Sequence, residues 1–120
     1  MSDLAERLYP FARRARIVVV GRPVLFRQRR HLQFLLITED LSATSQREVR
    51  RDYPDVPIVQ HYTSVQLEQF FALRNTKVIG FRKSSLAMSI LRELKPFRLP
   101  PANAPETPEA PEPGEPQEEG

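Results

Sequence analysis

The sequence predicts a small α/β domain, a three-layer α/β/α sandwich around a four-stranded mixed sheet, with a disordered acidic tail behind it. Three observations carry that expectation. Short apolar runs ("RIVVVG", "QFLLITED", "VPIVQHY", "KVIGFR") alternate with helix-length segments, an order that places helices on both faces of one sheet. Residues 96–120 hold eight of the chain's 12 prolines and six glutamates, with almost nothing apolar, so they cannot bury enough surface to offset their ordering entropy. The remaining stretch, 1–95, has room for a single core. The expected boundaries are therefore a domain at 1–95 and a tail at 96–120.

Each element has a local reason. Leu4, Leu8 and Phe11 recur at helical spacing and Ala12 and Ala15 continue their stripe, while Pro10 is expected to end or kink the first turn. "RIVVVG" at 16–21 is β-branched, too short for a helix and closed by glycine, which suits a buried strand. Pro23 then stands where a first helical position needs no N–H, and Val24, Leu25, Gln28 and Leu32 form one face of a short helix. "QFLLITED" at 33–40 is the second strand. Ser45 and Glu48 have the spacing of a capping box that opens a third helix.

"VPIVQHY" at 56–62 is the third strand. Thr63 and Gln66 repeat the capping-box spacing before a helix whose Val65, Leu67, Phe70, Phe71 and Leu73 are expected in the core. A turn at Arg74, Asn75 and Thr76 leads into "KVIGFR". Ser84 can cap a last helix that carries Leu86, Ile90, Leu91 and Leu94 on one side.

Charge divides at the same boundary. Residues 1–95 hold 17 Lys and Arg against 9 Asp and Glu, a net +8, whereas the tail sets Arg98 against six glutamates, a net −5. A basic body attracts polyanions, nucleic acid above all, and an acidic tether can compete for the same surface from within the chain. The chain has no cysteine, which excludes a disulfide framework and a thiolate metal site. No apolar stretch approaches the roughly 20 residues of a bilayer span, and the N-terminus lacks a signal peptide's apolar region. The expected compartment is the cytoplasm.

Several constellations have ordinary readings. His31 and His61 are thirty residues apart without clustered carboxylates, a poor basis for a metal or a catalytic site. Glu39 and Asp40 end a strand, where paired carboxylates can hold a hard cation, but the next strand brings no further acid; the expected role for Asp40 is to orient the turn toward the third helix. Tyr9, Tyr53 and Tyr62 are too scattered for a base-stacking platform and are expected in packing. "RKSSL" at 82–86 offers two cations and two hydroxyls as a secondary phosphate contact.

The stretches "ARRARIVVVG", "LLITEDLSATSQREV", "VPIVQHYTSVQLEQF" and "VIGFRKSSLAMSIL" together resemble the ribosomal protein L-seven-Ae / L-thirty-e superfamily, including its small bacterial members, over roughly Leu8 to Leu94. The resemblance implies an α/β/α RNA-binding fold of the kind that commonly recognises kink-turns. It places the contact surface at Gly21 to Arg30 and at Leu73 to Lys77. The family's corner usually reads Gly-x-Asn-Glu-x-x-Lys; here it reads Gly21-Arg22-Pro23-Val24-Leu25-Phe26-Arg27, so the glycine stays, arginine replaces lysine, and the two base-reading residues are gone.

Phosphate contact needs cations and an accessible corner more than it needs base readers. The expected RNA-binding residues are Gly21, Arg22, Arg27, Arg29, Arg30, Arg74, Asn75 and Lys77, in a ribosome- or ribonucleoprotein-associated protein. No enzymatic activity, cofactor or metal is expected. The rival expectation is a protein-interaction module built on an RNA-binder scaffold that has lost base recognition.

Overall fold

The alternation of short strands and helices closes around the last strand to be made. A computed structural model describes residues 3–100. It runs α1 (Asp3–Arg14), β1 (Val18–Val20), α2 (Arg22–Arg27), β2 (Leu32–Ile37), α3 (Ala43–Asp52), β3 (Ile58–Gln60), α4 (Ser64–Phe71), β4 (Val78–Arg82) and α5 (Ser85–Glu93), with short 3-10 turns at Arg29–His31 and Lys95–Phe97. The sheet order is β1-β4-β2-β3. β4 is antiparallel to both neighbours, pairing Gly80 with Val19 on one side and Leu35 on the other, and β3 lies parallel to β2.

Three strands therefore point one way and β4 the other. One end of the sheet collects the ends of β1 and β2 with the start of β4, where Val20 pairs with Ile79 and Ile37 with Val78. The opposite end collects the start of β2 and the end of β4, where Leu32 meets Arg82. Alternation along β2 divides the core: Phe34 and Leu36 face a layer that includes Tyr9 of α1, Leu67 and Phe71 of α4 and Ile90 of α5, while Leu35 and Ile37 face Leu25 of α2 and Val49 of α3. The expected three-layer sandwich with a mixed sheet is what forms.

Caps act where their chemistry is local. The Thr63 hydroxyl accepts from the Gln66 N–H at 3.2 Å and the Gln66 side chain accepts from the Thr63 N–H at 3.0 Å, a complete capping box. Ser84 caps α5 by accepting from the Ala87 N–H. For α3 the expected cap moves: Ser42, three residues earlier, accepts from the Ser45 N–H at 3.1 Å, and Ser45 lies inside the helix.

α1 departs from expectation twice. It runs unbroken through Pro10, whose ring faces solvent; burial of Tyr9 and Ala12 on the other side offsets the one lost ladder bond. Its inward face is Ala5, Tyr9 and Ala12 with Leu8 partly buried against the same core, so Ala12 and Leu8 of the expected stripe face inward while Leu4 and Phe11 are 54% and 53% exposed. Two alanines let the helix approach closely, and the Tyr9 hydroxyl reaches the buried Tyr62 hydroxyl at 3.0 Å, which in turn donates to Glu6 at 3.3 Å. Burial, and then the Tyr62 hydroxyl, push the Tyr9 phenol far above its ordinary range, so it stays neutral. All three tyrosines are buried, as expected.

Val65, expected in the core, is 60% exposed; α4 stops at Phe71, where Ala72 turns into the left-handed region at φ 55°, and Leu73 is only partly buried. Ordered packing also extends past residue 95. Phe97 stacks on His61 with ring centroids 3.7 Å apart, and the Leu99 N–H donates to the Ile58 carbonyl at 2.8 Å along the outer edge of β3. Residues 101–120, the bulk of the expected tail, lie outside the described residues.

Two contacts fix the sheet, one at its middle and one at its end. Gly80, at the centre of β4, has no room for a side chain: a Cβ there would stand 2.6 Å from Leu25 Cδ2 and 3.0 Å from Leu32 Cδ2, both on buried residues. Asp40 does not orient α3. Its carboxylate accepts from the Ser64 hydroxyl at 2.7 Å and the Ser64 N–H at 3.4 Å, tying the end of β2 to the start of α4. Hydrogen bonding from the Thr38 side, then from Ser64, holds its carboxyl at about 2, against an ordinary 3.8. The buried Thr38 hydroxyl itself meets no partner at good hydrogen-bond geometry, which makes Ser64 the secure donor.

Gly80→Ala is expected to cost about 1–3 kcal/mol through overpacking, and to cost less when made in a Leu25→Ala background; denaturant midpoints of the single and double variants read this coupling. The depressed Asp40 carboxyl contributes stability that is full above pH 3.8 and lost as pH falls through about 2. Ser64→Ala is expected to bring the Asp40 titration, followed by carboxyl NMR, back up toward 3.8; an unmoved midpoint contradicts the assigned donor.

Candidate nucleic-acid interface

The corner after β1 is built on Gly21, which adopts φ 100° and ψ 123°. The dihedral is the reason for glycine there, because a Cβ would find its nearest neighbour 3.9 Å away. The Gly21 carbonyl accepts from the Leu25 N–H at 2.9 Å and so opens α2. α2 spans only six residues and has Pro23 near its start, so few amide donors face outward. The expected contribution of free backbone N–H groups is small, and attraction for an anion falls to side chains.

Those side chains converge in a groove of about 400 Å³ at the end of the sheet where β1 and β2 finish and β4 begins. Gly21 and Arg22 line it from the corner, Leu41 and Ser45 from the entry to α3, and Asn75, Thr76 and Lys77 from the connection into β4. The pairing of Val20 with Ile79 and of Ile37 with Val78 is what brings these segments together. The connection turns tightly: Asn75 sits at φ 51°, a region asparagine tolerates, the Thr76 hydroxyl donates to the Arg74 carbonyl at 2.8 Å, and the Thr38 N–H donates to the Lys77 carbonyl at 3.0 Å. Crevices at the carboxyl ends of parallel strands are the usual ligand positions in open α/β sheets.

Of the eight residues expected to form the site, Gly21, Arg22, Asn75 and Lys77 meet in this groove. Arg74 is exposed beside it and does not line it, and Arg27 is exposed at the far end of α2. Arg29 and Arg30 lie at the opposite end of the sheet, around a second groove of about 320 Å³ shared with Lys83, Asp52 and Asp55. The reason is the crossover. A connection between parallel strands must return from the end of one to the start of the next, and α2 carries the chain away from Gly21 as it goes. The stretch from Gly21 to Arg30 is continuous in sequence but bipolar in space.

The guanidiniums differ in availability. Arg22 stands 3.7 Å from Glu48 in an exposed pair, an arrangement worth about 0–1 kcal/mol that leaves the cation accessible. Arg29 folds back, donating to the Phe26 carbonyl at 2.7 Å and lying 4.0 Å above the half-exposed Phe26 ring. Among the described residues, Arg27, Arg30, Arg74, Lys77 and Lys83 enter no ion pair. Thr76 falls within the Leu73 to Lys77 stretch that the resemblance marks, whereas Leu41 and Ser45 are groove residues that the sequence offered only as a linker position and a helix cap. Lys83 belongs to the "RKSSL" stretch that did suggest a phosphate contact.

The acidic neighbours have partners of their own. Asp40 is committed to Ser64, and no cluster of three or more His, Asp or Glu that could hold a metal occurs among the described residues. His61 lies just past β3, stacked on Phe97, with Nδ1 3.8 Å from the Glu39 carboxylate. Burial pushes its pKa below the ordinary 6.5 despite that carboxylate, so the ring is neutral at pH 7.

No family model matches the chain, and no curated protein matches it. A solved structure described as that of a protein with unknown function from Bacillus halodurans C is similar to it, with a TM-score of 0.68 at 14% identity over 76% of this chain and 96% of that one. At that identity the likeness is one of fold, and it supports the α/β architecture.

Proposed function

We propose that this chain binds RNA, with no catalytic activity of its own, as an accessory protein of a ribosome or another ribonucleoprotein in the cytoplasm. The observation that carries the reading is the convergence of Gly21 and Arg22 with Asn75, Thr76 and Lys77 in one groove from segments more than fifty residues apart. Two exposed cations with amide and hydroxyl groups between them suit a phosphate and its ribose, whereas the Val24 side chain has no donor or acceptor with which to read a base. The sequence resemblance to the L-seven-Ae / L-thirty-e superfamily points to the same corner and loop. The missing base readers favour contact with the RNA backbone over specific kink-turn recognition. Arg27, Arg29, Arg30 and Lys83 add positive potential along α2 and at the far end of the sheet, which steers a polyanion toward the domain. No helix among the described residues is long and apolar enough to cross a membrane.

A second reading has one observation in its favour. Leu4 and Phe11, seven residues apart on α1, expose apolar side chains on one face, a strip on which a protein partner can seat.

For RNA, log affinity is expected to fall linearly with log salt, at about −0.7 per phosphate contact on a single strand. Arg22→Gln and Lys77→Gln are each expected to reduce the slope by about that amount, and Leu4→Ser to leave it unchanged. Fluorescence anisotropy with a labelled structured RNA measures both, and a flat salt response refutes RNA binding. Recovery of partners from lysate that survives ribonuclease and is lost with Leu4→Ser is the outcome the second reading requires.

A further inference from the structure

The described chain stops at a position that bears on the acidic segment beyond it. After the Lys95–Phe97 turn, Arg98 bridges to Val59 and Leu99 bonds to Ile58, so the chain is carried along the outer edge of β3. It ends at Pro100, whose carbonyl accepts from the Arg50 guanidinium at 2.7 Å. Pro100, Arg50 and Arg98 line a groove of about 280 Å³ whose wall is the Tyr53–Val56 segment. That segment also walls the groove of Arg29, Arg30 and Lys83. The two grooves thus share one wall and together make a basic channel, one part beside the end of the described chain and the other beside the arginine run after α2. Five cations line it against two carboxylates, Asp52 and Asp55.

The sequence from 101 to 120 is complementary to that channel. It contains six glutamates and no Lys, Arg or His. Glu106, Glu109, Glu112, Glu115 and Glu118 recur at every third position, with prolines between them. A polyproline II helix has three residues per turn and rises about 3.1 Å per residue, so this period would align five carboxylates along one edge about 9 Å apart. At that rise twenty residues reach about 60 Å, more than enough to follow the channel from Pro100. A short tether also keeps the effective concentration of the segment near the millimolar range, which lets individually weak surface contacts add up.

We propose that residues 101–120 dock intramolecularly in this channel, with their glutamate edge against Arg98, Arg29, Arg30 and Lys83. The segment is then an internal polyanion over the second basic cluster, and an external polyanion must displace it there. Docking needs only the channel and the segment. Its competition with RNA rests on the function proposed above, and the test below contains no RNA, so the two proposals fail separately.

The full chain has no cysteine, so Gly114→Cys supplies a single site for a nitroxide in the middle of the segment. In low salt the amide signals of Arg29, Arg30, Asp55 and Lys83 are expected to lose at least half their intensity relative to the reduced label, and to regain it in 0.5 M NaCl. A second chain carrying Gln in place of Glu at 106, 109, 112, 115 and 118 is expected to show full intensities in low salt with the rest of the spectrum unchanged. Undiminished intensities at these amides in the first chain overturn the proposal. So does loss that persists in the glutamine chain. Loss that appears only between chains, in a mixture of labelled unenriched protein and unlabelled nitrogen-15 protein, overturns the intramolecular assignment.

Discussion

Leu25 seated on Gly80 is the contact on which the geometry of the molecule depends. A helix of six residues has no stability of its own, because the cost of nucleation is not recovered over so short a length. α2 exists because Leu25 is fully buried against the middle of the sheet, and the contact is possible only because β4 presents no side chain there. Gly80 pairs with both Val19 and Leu35, so the helix is seated over the two junctions that β4 makes. The positions of the corner and of the arginine run follow from that seat. It fixes where Gly21 begins the helix and where Arg29 and Arg30 leave it.

The other face is held differently. There the rings of Phe70, Phe71 and Phe81 pack against Tyr9, Phe34 stacks on Phe81, and the hydroxyls of Tyr9 and Tyr62 satisfy each other inside the core. Buried polar groups that are fully paired select one arrangement among many apolar ones. Here the pairing links α1 to the segment after β3, and Glu6 completes it at the edge of the helix. This explains why α1 turns its alanines inward and leaves Leu4 and Phe11 outside. The hydroxyl network, together with the close approach that Ala5 and Ala12 permit, outweighs the burial of two larger side chains.

Charge follows the ends of the sheet. Where β1 and β2 finish, Arg22 and Lys77 stand beside a groove while the nearby carboxylate of Asp40 is spent on Ser64. At the opposite end Arg29, Arg30 and Lys83 adjoin the channel that leads from Pro100. A net charge counted along the chain merges these into one basic surface, but the fold makes two, separated by the length of α2. Each presents its own cluster of cations.

What the sequence determined by itself was local. The order of helices and strands, the Thr63–Gln66 capping box, the Ser84 cap and the glycine at the corner all follow from periodicity, cap chemistry and dihedral preference within a few residues. The tertiary structure decided whatever depends on contacts between distant positions. Asp40 chose a partner 24 residues away over the adjacent helix. β4 inserted itself between β1 and β2, which drew Lys77 to Gly21 while the crossover carried Arg29 and Arg30 away. Packing of Phe97 on His61 and of Leu99 along β3 carried order to Pro100, past the boundary that composition marked. Local propensities are weak and short in range, whereas the pairing of strands and the burial of a face are settled only when remote segments compete for the same surface.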